Sequence, residues 1–289
     1  MNTFTEKLPR RSLLAMLPAL LTACSGADLL NATVSTDSYR RTDALAYGAD
    51  PRQLLDVYQP AAGIRKAPMV VFFYGGSWSS GERADYRFVG EALASRGIVA
   101  LVADYRLSPA FRYPAFVQDS ASAVRWAVDH AAEFGVDERR IFVMGHSAGG
   151  YNAAMVALDA RWLAAVGLAP SRLAGWIGLA GPYDFLPIGD AQTRVAFNWP
   201  QTAADSQPMV HASKASPPAL LLAASKDSVV SPQRSTVAMA RRLQASGVRV
   251  ESELFDGVSH VTLLASMAQV LRSRAPVLAR VAGFVQSAG

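Results

Sequence analysis

Six apolar runs punctuate this chain: "MVVFFY" (69–74), "IVALVAD" (98–104), "RIFVMG" (140–145), "LAGWIGLAG" (173–181), "ALLLAAS" (219–225) and "VRVESELF" (248–255). Between them lie stretches with helical patterning, at 84–96, 115–134, 148–163, 232–246 and 260–286. Strands without a polar face must be covered on both sides, so the alternation predicts an α/β fold: a mostly parallel central sheet with helices on both faces. The segment "DALAYGADPRQLLDVYQP" (43–60) adds antiparallel strands at one edge. No repeat or linker divides residues 43–289, which are expected to form one domain. One stretch, 184–216, interrupts the alternation; an excursion of that length is expected to carry local helix and act as a short lid.

In open sheets of this kind the loops that carry function converge at the carboxyl ends of the strands. Candidate residues are therefore sought just after the apolar runs. Ser147 satisfies that rule, in Gly145-His146-Ser147-Ala148-Gly149, the pattern G-x-S-x-G. A strand that turns abruptly into a helix strains the serine backbone, and glycines two residues to either side remove side chains that would collide. The helix start also turns backbone N–H groups toward the serine oxygen, Ala148 first among them.

A serine hydroxyl needs a base to take its proton, and the base needs a partner to hold its tautomer. Of the four histidines, His260 follows the last strand after "DGVS" and opens the final helical stretch. His146 is expected to project from the opposite face of the strand end, His130 to lie on a helix surface, and His211 to lie in the excursion. For the acid, Asp227 follows "ALLLAAS" and precedes Ser231-Pro232, a helix start. Asp184 is the main rival; Asp104 and Asp256 read as a sheet-edge salt bridge and a turn. Gly75 and Gly76 follow the first long run and let backbone N–H groups approach a substrate closely. Phe197, Trp199 and Met209 either line a pocket or pack the excursion onto the sheet.

These segments together resemble the α/β-hydrolase fold. More narrowly, "YGADPRQLLDVYQP", "YGGSW", "DYRLSP", "GHSAGG", "KDSVV" and "GVSH" resemble, in order, the hormone-sensitive-lipase-like and feruloyl-esterase-like carboxylesterases and the aryl formamidases. The resemblance implies Ser147 as nucleophile, Asp227 as acid, His260 as base, and Gly75, Gly76 and Ala148 around an oxyanion. It also implies a small-molecule ester as substrate, cleaved through an acyl-enzyme. An aryl formamidase or other amidase with the same triad, and a binding protein that kept the frame without turnover, are the alternatives. Tyr74 departs from the family, which usually has His before the two glycines.

No cofactor is implied, and the scattered histidines lack a metal-ligand spacing such as H-x-x-x-H. The formal charge of +5 is spread among carboxylates without a basic stripe, which argues against a nucleic-acid partner.

The N-terminus carries a different message. Lys7, Arg10 and Arg11 precede "SLLAMLPALLTA", an apolar stretch too short to span a bilayer. Residues 1–23 thus read as a signal peptide. "LTAC" resembles the lipobox of bacterial lipoproteins, which implies lipidation at Cys24, the only cysteine. Residues 24–42 are then expected to be a tether, and the protein to be exported and held at a bacterial membrane by its lipid, facing the periplasm or the exterior.

Overall fold

The computed structural model describes residues 26–287. In chain order the regular elements are α1 (Gly26–Ala32), β1 (Tyr39–Ala46), β2 (Leu54–Pro60), β3 (Ala67–Phe73), α2 (Arg87–Ala94), β4 (Val99–Ala103), α3 (Ala115–Asp129), β5 (Val136–His146), α4 (Ala148–Leu158) and α5 (Ala160–Ala165). Then follow β6 (Gly175–Leu179), α6 (Ala191–Ala196), β7 (Ala219–Ala224), α7 (Ala238–Ala245), β8 (Val250–Phe255), α8 (His260–Ala265) and α9 (Val277–Ser287).

All eight strands join one sheet in the order β1-β2-β4-β3-β5-β6-β7-β8. β2 runs antiparallel to both β1 and β4, and every pairing from β4 onward across the sheet is parallel. The expected antiparallel edge and parallel centre are therefore both present. β3, β4, β6 and β7 are buried at every residue, because helices cover both of their faces. From β3 the chain crosses to β4 through α2, then reverses through α3 to reach β5. Right-handed crossovers in opposite directions put those two helices on opposite faces. α9 packs beside α2, while α3, α4 and α5 pack against one another. α4 is buried along its whole length and mostly apolar, as suits a helix enclosed on every side, and its buried Asn152 accepts from the Trp78 indole N–H at 3.0 Å.

Register levels the ends that matter. Phe73 pairs with both Ala103 and Gly145, His146 with Leu179, Leu179 with Leu222, and Ala224 with Phe255. The loops after β3, β5, β7 and β8 therefore leave the sheet along one rim.

Three stretches depart from the sequence reading. The helical pattern at 260–286 is split: α8 ends at Ala265, a short 3-10 turn follows at Gln269–Leu271, and α9 starts at Val277, just after Pro276. The pattern at 232–246 opens with a π-helical turn, Gln233–Val237, before α7. Residues 26–42, expected as part of a tether, are folded onto the domain. Asn31 Nδ2 donates to the Ala84 carbonyl at 2.8 Å and its Oδ1 accepts from the Phe88 N–H at 3.1 Å, while β1 begins at Tyr39. Among the described residues no helix is long and apolar enough to cross a membrane. The signal-peptide segment and Cys24 lie outside the described residues.

Candidate active site

β5 passes into α4 through Ser147, whose φ of 53° and ψ of −123° place it in strained, left-handed territory. A Cβ on Gly145 would come within 1.9 Å of the Gly149 carbonyl oxygen, and one on Gly149 within 2.0 Å of the Phe73 carbonyl oxygen. The second glycine thus permits the elbow to press against the end of β3 as well as to turn. The Ser147 N–H donates to the Leu179 carbonyl at 2.9 Å, which ties the elbow to β6. Ala148 opens α4, so its N–H has no carbonyl one turn earlier within the helix to bind.

The loop after β3 lies alongside. A Cβ on Gly75 would stand 3.0 Å from Ser147 Cβ, and Gly76 (φ 120°) turns so tightly that a Cβ there would meet the Ser80 carbonyl oxygen at 2.3 Å. The Gly76 carbonyl accepts from the N–H groups of Ser79 and Ser80, and Ser77 and Trp78 take φ of 49° and 56°. Tyr74 braces this loop through its buried phenol. Its hydroxyl donates to Asp104 Oδ1 at 2.7 Å and accepts from Arg52 Nη2 at 2.7 Å, and its carbonyl accepts from the Tyr105 hydroxyl at 2.8 Å. Its ring stacks between Tyr86 and Tyr105 at 5.1 and 4.8 Å. A hydrogen-bonded tyrosine in an aromatic stack thus stands where the resembling families carry histidine.

His260 and Asp227 meet across two strand ends. His260 Nδ1 is 2.7 Å from Asp227 Oδ2, and the acid's side chain is wholly buried. A carboxylate only accepts, so Nδ1 carries the proton and Nε2 keeps its lone pair. Asp227 Oδ1 accepts from the N–H groups of Val229 and Val230 at 2.8 and 3.0 Å. His260 opens α8 behind the cap Ser259, whose hydroxyl accepts from the Thr262 N–H.

The rival residues are engaged elsewhere. Asp184 pairs with Arg234 at 3.2 Å, Asp104 with Arg83 at 2.6 Å, and Asp256 accepts from the Ser225 hydroxyl. His130 stacks on Trp126, and His211 Nε2 donates to the Asp205 carbonyl at 2.6 Å. His146, set aside as base in the sequence reading, contacts the residue chosen for that role: its ring lies 4.8 Å from the His260 ring and donates Nε2–H to the His260 carbonyl at 2.9 Å. Burial first, and the neighbouring His260 second, push its pKa down to about 3.

Ser147 and Ala148 open into a cavity of about 600 Å³. Its walls include Trp78, Phe185, Ile188, Val229 and Val230, with Asp184 and Arg234 at a polar end. Of the excursion residues weighed as lining, Phe197 packs inward instead, against Trp78 at 4.7 Å and Tyr151 at 5.3 Å, and Trp199 and Met209 are partly buried against the core. Arg234 ties the excursion down through Asp184 and the Leu186 carbonyl. The sequence reading passed over Phe185 and Arg234 and gave His146 no part in the site. Arg234 sits in the π-helical turn, a departure that α-helical periodicity does not reveal.

The strand order, the elbow at the end of β5 and the level rim define an α/β-hydrolase fold, shared with solved structures. A truncated carbohydrate esterase from gut microbiota superposes with a TM-score of 0.76 at 17% identity, covering 88% of this chain and 98% of its own. The chain belongs to the BD-FAE family, whose match spans residues 55–243. A thermostable esterase from Pseudomonas putida is 27% identical with a TM-score of 0.66, over 88% of this chain and 86% of that one. Esterase LipC of Mycobacterium tuberculosis is 30% identical over 218 residues, 69% of this chain and 54% of that protein. Isoprenylcysteine alpha-carbonyl methylesterase ICME of Arabidopsis thaliana is 27% identical over 241 residues, 76% of this chain and 56% of that protein. The chain spans about half the length of the curated relatives it matches.

Proposed function

We propose that this chain is a serine hydrolase that cleaves carboxylic esters of small molecules through an acyl-enzyme. Ser147 attacks the ester carbonyl as His260, held by Asp227, removes its proton. The same histidine then protonates the leaving alcohol and later activates the water that releases the acid. The Ala148 N–H and the N–H groups of the Gly75–Gly76 loop stabilise the oxyanion. The observation that carries this reading is the buried 2.7 Å bond from His260 Nδ1 to Asp227, on the rim that also holds a strained serine opening into a cavity. Membership of the BD-FAE family and relatives named as esterases support it.

The test is labelling with a fluorophosphonate together with turnover of short-chain p-nitrophenyl esters and an N-formyl aromatic amine. The expected result is one adduct, on Ser147, and faster cleavage of the esters. Preference for the formamide would convert the reading to an amidase, and absence of both adduct and turnover to a binding protein.

The N-terminal segment supports a second, separate proposal about place: residues 1–23 direct export and Cys24 carries lipid. Replacing Cys24 by Ser is expected to release the protein from the membrane fraction of a bacterial host, and retention of the variant there would overturn the proposal.

A further inference from the structure

His146 has no part in the chemistry just described, yet it is buried at the centre of it. It lies between the two groups that must meet. Its main chain is the last residue of β5 and adjoins Ser147, while its Nε2 reaches the main-chain carbonyl of His260, 114 residues further on. A carbonyl only accepts, so His146 holds its proton on Nε2 and presents a lone pair at Nδ1. That Nδ1 would be 3.2 Å from a Cβ on Gly75, so the ring fills the space between the loop after β3 and the His260 ring. Burial keeps the imidazole neutral, with its pKa near 3, so no second cation faces His260 when that ring takes up a proton.

Ser147 hangs from β5 and β6, whereas His260 follows β8 and is held by Asp227 after β7, so nucleophile and base come from different strand ends. We infer that His146 is a positioning residue that ties the main chain of the base directly to the nucleophile elbow. The inference rests on the reading of His260 as the base. A misplacement of about 1 Å in such an arrangement lowers turnover on the order of 100-fold. The strap is therefore expected to act on kcat and to leave substrate affinity alone.

The experiment compares the full chain with His146→Phe, which keeps an aromatic ring and loses the donor, and with His146→Gln, whose amide nitrogen stands as many bonds from the backbone as Nε2. Two readouts are taken: kcat and KM on p-nitrophenyl acetate, and the proton NMR signal of His260 Nδ1–H, shifted downfield by Asp227 and identified by its loss in His260→Gln. The phenylalanine variant is expected to lower kcat by about 10- to 100-fold with KM unchanged and to broaden the His260 signal through exchange with solvent. The glutamine variant is expected to restore most of both. Wild-type kcat and an unaltered signal in His146→Phe would overturn the inference, as would a glutamine variant that falls as far as the phenylalanine one. Should His146→Phe fail to fold, His146→Asn, polar but one bond too short to reach the carbonyl, replaces it with the same expected outcomes. If the native protein turned over no ester, the esterase reading would fall, and the His260 signal would still decide whether His146 holds that ring.

Discussion

Replacing Ser147 by Ala is expected to lower kcat on p-nitrophenyl esters by a factor on the order of 10⁶ and to abolish fluorophosphonate labelling, with the fold intact. The fold is expected to survive because the change removes only Oγ. The Ser147 N–H still donates to the Leu179 carbonyl, and Gly145 and Gly149 still admit the turn. Alanine is no better suited than serine to a φ of 53°, so the strain is the same in both. What disappears is the oxygen proposed to form the acyl-enzyme. A millionfold loss corresponds to about 8 kcal/mol of barrier. Neither a displaced water nor the neighbouring Ser77 compensates on that scale, because neither occupies the elbow at the start of α4. Turnover by purified Ser147→Ala at rates near the native protein would remove Ser147 from the reaction, and with it the role given to His260.

The sheet was legible because burial on both faces leaves a written trace: "MVVFF" and "ALLLAA" contain no polar residue, and both lie in strands buried at every position. Helices that cover those faces read equally well wherever an amphipathic stripe ran for three turns or more, as in α3. α1 did not, since seven residues carry too little pattern; it is docked by Asn31, bonded to Ala84 and Phe88, and by Leu30 packed against the core. Around the site, the strand-end rule selects Ser147, Asp227 and His260 because position along a strand is local information. His146 escaped for a specific reason. Alternation of side chains across a strand tells which face a residue takes, not which distant loop its ring meets, and the His260 carbonyl lies 114 residues further on. The Tyr74 brace was illegible for a different reason: its partners Arg52 and Asp104 lie 22 and 30 residues away, and only tertiary folding brings them to the phenol. Phe197 belongs with it, an aromatic whose place in a cluster with Trp78 and Tyr151 is decided by packing that no local pattern records.

Replacing Asp227 by Asn is expected to lower kcat by about 10⁴-fold, with little effect on stability, and the reason lies in how the two carboxylate oxygens are used. Oδ1 accepts two backbone N–H groups, from Val229 and Val230, and Oδ2 accepts the His260 Nδ1 proton. An asparagine in the same place must keep its carbonyl oxygen on the two N–H groups, because its amide nitrogen cannot accept from them. The amide NH₂ then faces His260 and donates to Nδ1. The imidazole answers by carrying its proton on Nε2, the nitrogen that must be bare to take the proton from Ser147. The side chain has the right shape, and the base the wrong tautomer. A loss of 10⁴ is about 5.5 kcal/mol of barrier, larger than the whole contribution of an ordinary hydrogen bond, because the substitution reverses the bond instead of weakening it. Asp256→Asn is the matched control. That carboxylate lies just before the same histidine loop but accepts from the Ser225 hydroxyl, a bond the asparagine oxygen can also take, so kcat is expected to stay near that of the native protein. Equal rates for Asp227→Asn and the native enzyme would show that the buried pair at 2.7 Å orients nothing that matters to turnover.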